Sequence, residues 1–63
     1  MPETELSYTD AEGERYVAVR EEGLVKLRVY APASHGGELL NEILFYTAEV
    51  DKIAALLIRA TYS

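Results

Sequence analysis

Two seven-residue runs constrain this chain most: Glu14 to Arg20 (Glu-Arg-Tyr-Val-Ala-Val-Arg) and Leu24 to Tyr30 (Leu-Val-Lys-Leu-Arg-Val-Tyr). Both are rich in β-branched and aromatic residues, which pack well on a pleated surface and lose side-chain freedom in a helix. Only Glu21-Glu22-Gly23 separates them. A link that short joins neighbouring antiparallel strands and no others, because a parallel pair needs a crossover of a dozen residues or more.

The link also sets which side chains share a face. A three-residue hairpin loop is a type I turn closed by a left-handed residue, and Gly23 suits that place. Arg20 then faces Leu24, Val19 faces Val25, Ala18 faces Lys26, Val17 faces Leu27 and Tyr16 faces Arg28. One face becomes Val17, Val19, Val25, Leu27 and Val29. The other becomes Tyr16, Ala18, Arg20, Leu24, Lys26, Arg28 and Tyr30. A two-residue loop would instead pair Val19 with Lys26 and Val17 with Arg28, mixing charge into both faces. Since a slip of one residue inverts the facing, the cleaner separation favours the three-residue loop.

The remaining chain supplies partners for this hairpin. Leu6-Ser7-Tyr8-Thr9 alternates apolar and polar as a short strand does, and Asp10-Ala11-Glu12-Gly13 reads as a turn with a left-handed glycine. Ala31 to Gly37 is a loop, opened by Pro32 and loosened by Gly36-Gly37. Asn41 to Tyr46 reads as the last strand. Thr47 is the expected N-cap of a helix over 48–60, with Glu49 and Asp51 in its first turn, where the helix dipole favours negative charge. Val50, Ile53, Ala54, Leu57 and Thr61 recur at helical spacing and form one core-facing stripe. The expected fold is α+β: an antiparallel sheet of three or four strands with one C-terminal helix packed on one face. Residues 1–5 are expected to form a flexible acidic leader, and residues 6–63 a single ββββα domain.

Size makes that fold hard to stabilise alone. A chain of 63 residues buries only roughly 60% of the surface it exposes when unfolded. With no cysteine it has no disulfide, and one histidine without cysteine does not make a zinc site. Yet 49% of the residues are hydrophobic. Leu56 and Ile58 lie off the centre of the helical stripe, and Leu39, Leu40 and Tyr62 are also surplus to one small core. A homodimer is therefore expected, with Leu56, Leu57 and Ile58 in its interface. The competing reading is a broad monomeric core.

Charge is unevenly spread. Four of the six basic residues, Arg15, Arg20, Lys26 and Arg28, belong to the hairpin, while the whole chain carries a net charge of -5. Arg20, Lys26 and Arg28 with Tyr16 and Tyr30 make a candidate single-strand-binding face: cations for phosphates and flat rings for bases. The plainer reading is a solvated outer sheet face countered by Glu21 and Glu22. The net negative charge opposes non-specific attraction to nucleic acid or anionic membrane.

Other chemistry is sparse. Ser34-His35 are sequence neighbours, and a catalytic dyad is assembled in space by a fold; His35-Gly36-Gly37 has no G-x-S-x-G elbow to accompany it. Phosphate-binding glycine signatures are missing. No carboxylate pair has a spacing that suits acid–base work, so neither an enzyme nor a cofactor is expected. Met1-Pro2-Glu3-Thr4-Glu5 lacks the basic and apolar regions of a signal peptide. The apolar run Ile53–Ile58 is too short to span a bilayer. A cytoplasmic protein is expected.

Strands followed by one helix, with Arg15-Tyr16-Val17-Ala18-Val19-Arg20, Gly23, the strand to Tyr30, and Asn41 to Val50 running from strand into helix, resemble the PC4-like (positive cofactor 4) family of transcriptional coactivators and single-stranded DNA-binding proteins. The resemblance covers roughly residues 14–60. It implies a dimer joined through the helices, with single-stranded DNA across the sheets, contacting Tyr16, Arg20, Lys26, Arg28 and Tyr30. Two departures stand out. Leu40-Asn41-Glu42 replaces the family's basic, glycine-containing loop, and Val50 or Asp51 replaces an aromatic residue early in the helix. The expected function is a non-enzymatic, sequence-tolerant single-stranded nucleic-acid-binding module. The alternative is a small acidic protein-interaction factor, of the kind of a phage inhibitor or regulatory subunit, which binds a basic protein surface through the leader and the 38–42 edge.

Overall fold

The computed structural model describes residues 4–63. Four strands form one antiparallel meander in the order β1-β2-β3-β4, with β1 Thr4–Thr9, β2 Arg15–Glu21, β3 Leu24–Tyr30 and β4 Leu39–Tyr46. A single helix, α1 Thr47–Thr61, follows β4 without a break. The α+β class is as expected. Residues 1–3 of the expected leader lie outside the described residues, while Thr4 and Glu5 already belong to β1. In the loop after β3, Ala33–His35 make one 3-10 turn.

The hairpin register differs from the expectation. Glu21 pairs with Leu24, Arg20 with Val25, Val19 with Lys26 and Val17 with Arg28. The loop is thus two residues, Glu22-Gly23, with φ of 37° and 81°. Two consecutive left-handed residues are the mark of a type I′ turn, whose twist matches that of the strands it joins. Gly23 adopts the left-handed conformation at no steric penalty. Glu22 pays roughly 1–2 kcal/mol for it. Glu22→Asn should accordingly raise stability by about 1 kcal/mol, since Asn-Gly is the favoured pair for this turn; urea unfolding at fixed protein concentration measures it.

The shorter loop inverts the expected facing. One face carries Arg15, Val17, Val19, Glu21, Leu24, Lys26, Arg28 and Tyr30, joined by Glu42, Leu44 and Tyr46 from β4. The other carries Tyr16, Ala18, Arg20, Val25, Leu27 and Val29, with Leu6 and Tyr8 from β1 and Ile43 and Phe45 from β4. These are called the charged face and the apolar face below. A bulge lies where Val29 pairs with Asn41 but Tyr30 pairs with Leu39, leaving Leu40 as the extra residue.

Burial follows an unexpected pattern. Val17 and Val19, each 4% exposed, are on the charged face, and Ala31 is the third buried hydrophobic residue among those described. Arg28 and Lys26 stand directly opposite these two valines. Long cationic side chains carry apolar stems that can lie along apolar neighbours while the charged head reaches water. Charge on this face is therefore compatible with the burial of its valines.

The helix also departs from its expected role. Its N-cap is Tyr46, and no side chain caps it. Thr47, the expected cap, instead begins the helix, and its N–H donates to the Gly23 carbonyl at 2.9 Å. The helix touches β3 and β4 only. Of the expected stripe, Val50 and Ile53 are half-buried, whereas Ala54, Leu57 and Thr61 are exposed. Beyond Ile53 every residue of α1 is exposed around its whole circumference, so its second half stands clear of the sheet.

Candidate nucleic-acid interface

The candidate site starts from the period of β3. Lys26, Arg28 and Tyr30 are spaced by two, so they share a face whatever the register. The observed register brings Arg15 beside them, opposite Tyr30. The Arg15 guanidinium carbon lies 4.6 Å from the centre of the Tyr30 ring, a cation–π contact. Three cations and one aromatic ring from the two central strands thus line one surface.

Two of these cations already have partners. The Arg28 Nε–H donates to Glu42 Oε2 at 2.7 Å. Glu42 is the residue directly across the ladder on β4. Lys26 Nζ lies 3.4 Å from Glu21 Oε2, a looser pair along the hairpin. The hydrogen bond to Glu42, followed by an interaction with Tyr30, raises the Arg28 pKa above its ordinary value, so Arg28 stays charged throughout the working pH range. Both pairs are partly open to solvent, and such surface pairs contribute ~0–1 kcal/mol.

Tyr16 and Arg20 are not part of this surface. Both lie on the apolar face, because the two-residue turn shifts β2 by one position relative to the expected pairing. Tyr16 is engaged elsewhere: its hydroxyl donates to Asp10 Oδ2 at 3.0 Å, while Asp10 Oδ1 accepts the backbone N–H groups of Glu12 and Glu14. The bond to Asp10 is the first cause that raises the Tyr16 pKa, ahead of desolvation and the charges of Asp10 and Glu14. Tyr16 therefore pins the β1–β2 turn in its protonated form. Its ring centre is 6.4 Å from that of Tyr8, the residue opposite. Arg15 is the residue that sequence reasoning missed, and the two-residue register was the signal that would have found it.

The remaining sequence candidates stay apart. His35 is exposed in the 3-10 turn. Among the described residues no group of three or more His, Cys, Asp or Glu side chains is placed to hold a metal ion. No helix among them is long and apolar enough to cross a membrane. The expected dimer residues Leu56, Leu57 and Ile58 are 57%, 61% and 60% exposed. No protein-family model, curated protein or solved structure matches the chain.

Proposed function

We propose that this chain is a non-enzymatic single-stranded nucleic-acid-binding module of PC4-like type, working through Arg15, Lys26, Arg28 and Tyr30. The observation that carries the reading is the gathering of three cations and one aromatic ring on one face of the two central strands. A phosphate chain can replace Glu21 and Glu42 as the partner of Lys26 and Arg28, because surface ion pairs are worth little. Release of counterions from the strand then favours association. Tyr30 offers a ring for base stacking, worth ~1–3 kcal/mol per base.

Binding on these terms tolerates any sequence and weakens with salt. Three phosphate contacts correspond to a slope of about -2 in log affinity against log salt for a single strand. Fluorescence anisotropy of a labelled strand of about 20 nucleotides, a span within reach of one or two small modules, tests this beside a duplex control. Salt-sensitive binding that prefers the single strand is the expected result. Flat curves at low salt, where attraction is strongest, would refute the reading.

The acids on the charged face give a sharper test. Glu42→Gln removes the carboxylate that competes for Arg28. It should tighten single-strand binding several-fold while changing stability by less than about 1 kcal/mol. An unchanged affinity would separate Arg28 from the binding surface.

A second reading is favoured by the net charge of -5: an acidic protein-interaction factor that binds a basic protein surface. Glu12→Gln with Glu38→Gln, two exposed carboxylates outside the strands, distinguishes the two. Single-strand binding should persist or tighten in this variant, whereas binding of a basic partner should weaken.

A further inference from the structure

The charged face carries a second aromatic ring, at the end of β3 far from Tyr30. Tyr46 pairs with Leu24, and opposed residues share a face of the sheet, so Tyr46 stands on the same side as Lys26 and Arg28. It is 70% exposed. Single exposed apolar residues need no explanation, but Tyr46 has company. Leu44 lies two residues earlier on β4, opposite Lys26, and is 57% exposed. Leu24 is half-buried beside them. The three make one apolar floor next to Lys26.

The two tyrosines differ in what they can offer. Tyr30 is half-buried, and Arg15 already lies over its ring at 4.6 Å. Tyr46 takes part in no aromatic or cation–π contact among the described residues. The ring with more free surface is therefore the one that neither strand periodicity along β3 nor the hairpin register brings into the site.

We infer that a single strand lies along the whole length of the charged face between two tyrosine platforms, one base stacking on Tyr46 and another on Tyr30. This rests on the reading of that face as a single-strand-binding surface and gives it a length. The seven residues Leu24–Tyr30 of β3 span about 20 Å. At the 3.4 Å spacing of one duplex strand this is about six nucleotides, and a more extended strand covers it with fewer. Lys26 and Arg28 lie between the rings, where the linking phosphates pass. Lys26 is the cation nearest the Leu24–Leu44–Tyr46 floor, two residues along β3 from Leu24. Glu21 and Glu42 share the face, and each is bonded to a cation, Lys26 and Arg28 respectively. Glu5 stands at its β1 edge, opposite Val19. A duplex gains nothing from the two rings, because its bases are already stacked on one another.

Anisotropy with oligothymidines from about two to about 12 nucleotides, a range that brackets the site, tests the inference. Affinity should rise steeply up to about six nucleotides and slowly beyond. Tyr46→Ala should weaken binding of a strand of about six nucleotides roughly ten-fold, the scale of one lost stack. It should also end the steep rise at about four nucleotides, the span from Lys26 to Tyr30. Tyr46→Phe keeps the ring and should recover most of the affinity. Tyr46 caps the helix without a side-chain bond, so circular dichroism should show both variants folded. Full affinity and an unshifted length dependence in Tyr46→Ala, beside a Lys26→Glu and Arg28→Glu double variant that fails to bind, would overturn the inference and leave the reading of the face in place. A Phe variant as weak as the Ala variant would overturn stacking as the role of Tyr46. No binding of any strand by the unaltered chain would overturn both the inference and the reading beneath it.

Discussion

Lys26→Glu with Arg28→Glu should abolish single-strand binding, a loss of at least about 100-fold, while leaving the fold intact. Each reversal removes one phosphate contact and adds one repulsion, and the chain already carries a net charge of -5. Charge–phosphate contacts dominate sequence-tolerant affinity, so losing two of three leaves little attraction. The fold should survive with some loss of stability, because the two ion pairs broken, with Glu21 and Glu42, are partly solvent-exposed and contribute ~0–1 kcal/mol each, and the shorter side chains at 26 and 28 lose part of the stem packing beside Val19 and Val17. Far-ultraviolet circular dichroism checks the fold, and anisotropy checks the binding. Retained affinity in a folded double variant would exclude this face as the binding surface.

The second large effect concerns stability. Val17→Ala with Val19→Ala should destabilise the protein by about 3 kcal/mol, at ~0.8 kcal/mol for each buried methylene equivalent removed. Residual cavities would add to this. A domain of this length has a total stability of roughly 3–9 kcal/mol, so the double variant should be largely unfolded at modest temperature. Val17 and Val19 are the residues to change because they are the most buried of those described, with Arg28 and Lys26 opposite them on β3. Thermal unfolding at fixed protein concentration measures the effect. A shift of only a degree or two would mean that the charged face contributes no core.

Much of this fold could be read from residue types. β-Branched runs marked β2 and β3, and Asp10 to Gly13 marked the first turn, whose glycine has a φ of 90°. Asn41 to Tyr46 marked the last strand, which begins two residues earlier, at Leu39, and the apolar spacing after Thr47 marked the helix. What could not be read was the hairpin turn, and a single residue decides it. Glu22 takes a left-handed conformation that glutamate rarely adopts, so a loop with only Gly23 left-handed looked more suitable. Segregated faces favour the same loop only where Lys26 and Arg28 are purely polar, and both side chains carry apolar stems.

The candidate site divides along the same line. Lys26, Arg28 and Tyr30 lie on one strand, and strand periodicity alone groups them. Tyr16 and Arg20 lie on the other strand, so their facing depended on the register and reversed with it. The same reversal brought Arg15 to Tyr30. The helical stripe was legible as a pattern, but what it would pack against was not. Periodicity reports that a face is apolar, and it does not say whether the same chain covers it.

Arg20 makes the most direct measurement possible, because the register puts it on the face opposite Arg15 and Arg28. The side-chain Nε–H resonances of a nitrogen-labelled sample can be followed while an oligothymidine strand is added at low salt. Those of Arg15 and Arg28 should shift progressively, and that of Arg20 should stay in place. Movement of Arg20 with Arg15 and Arg28 unmoved would contradict the charged face as the binding surface, and three unmoved resonances would contradict nucleic-acid binding altogether.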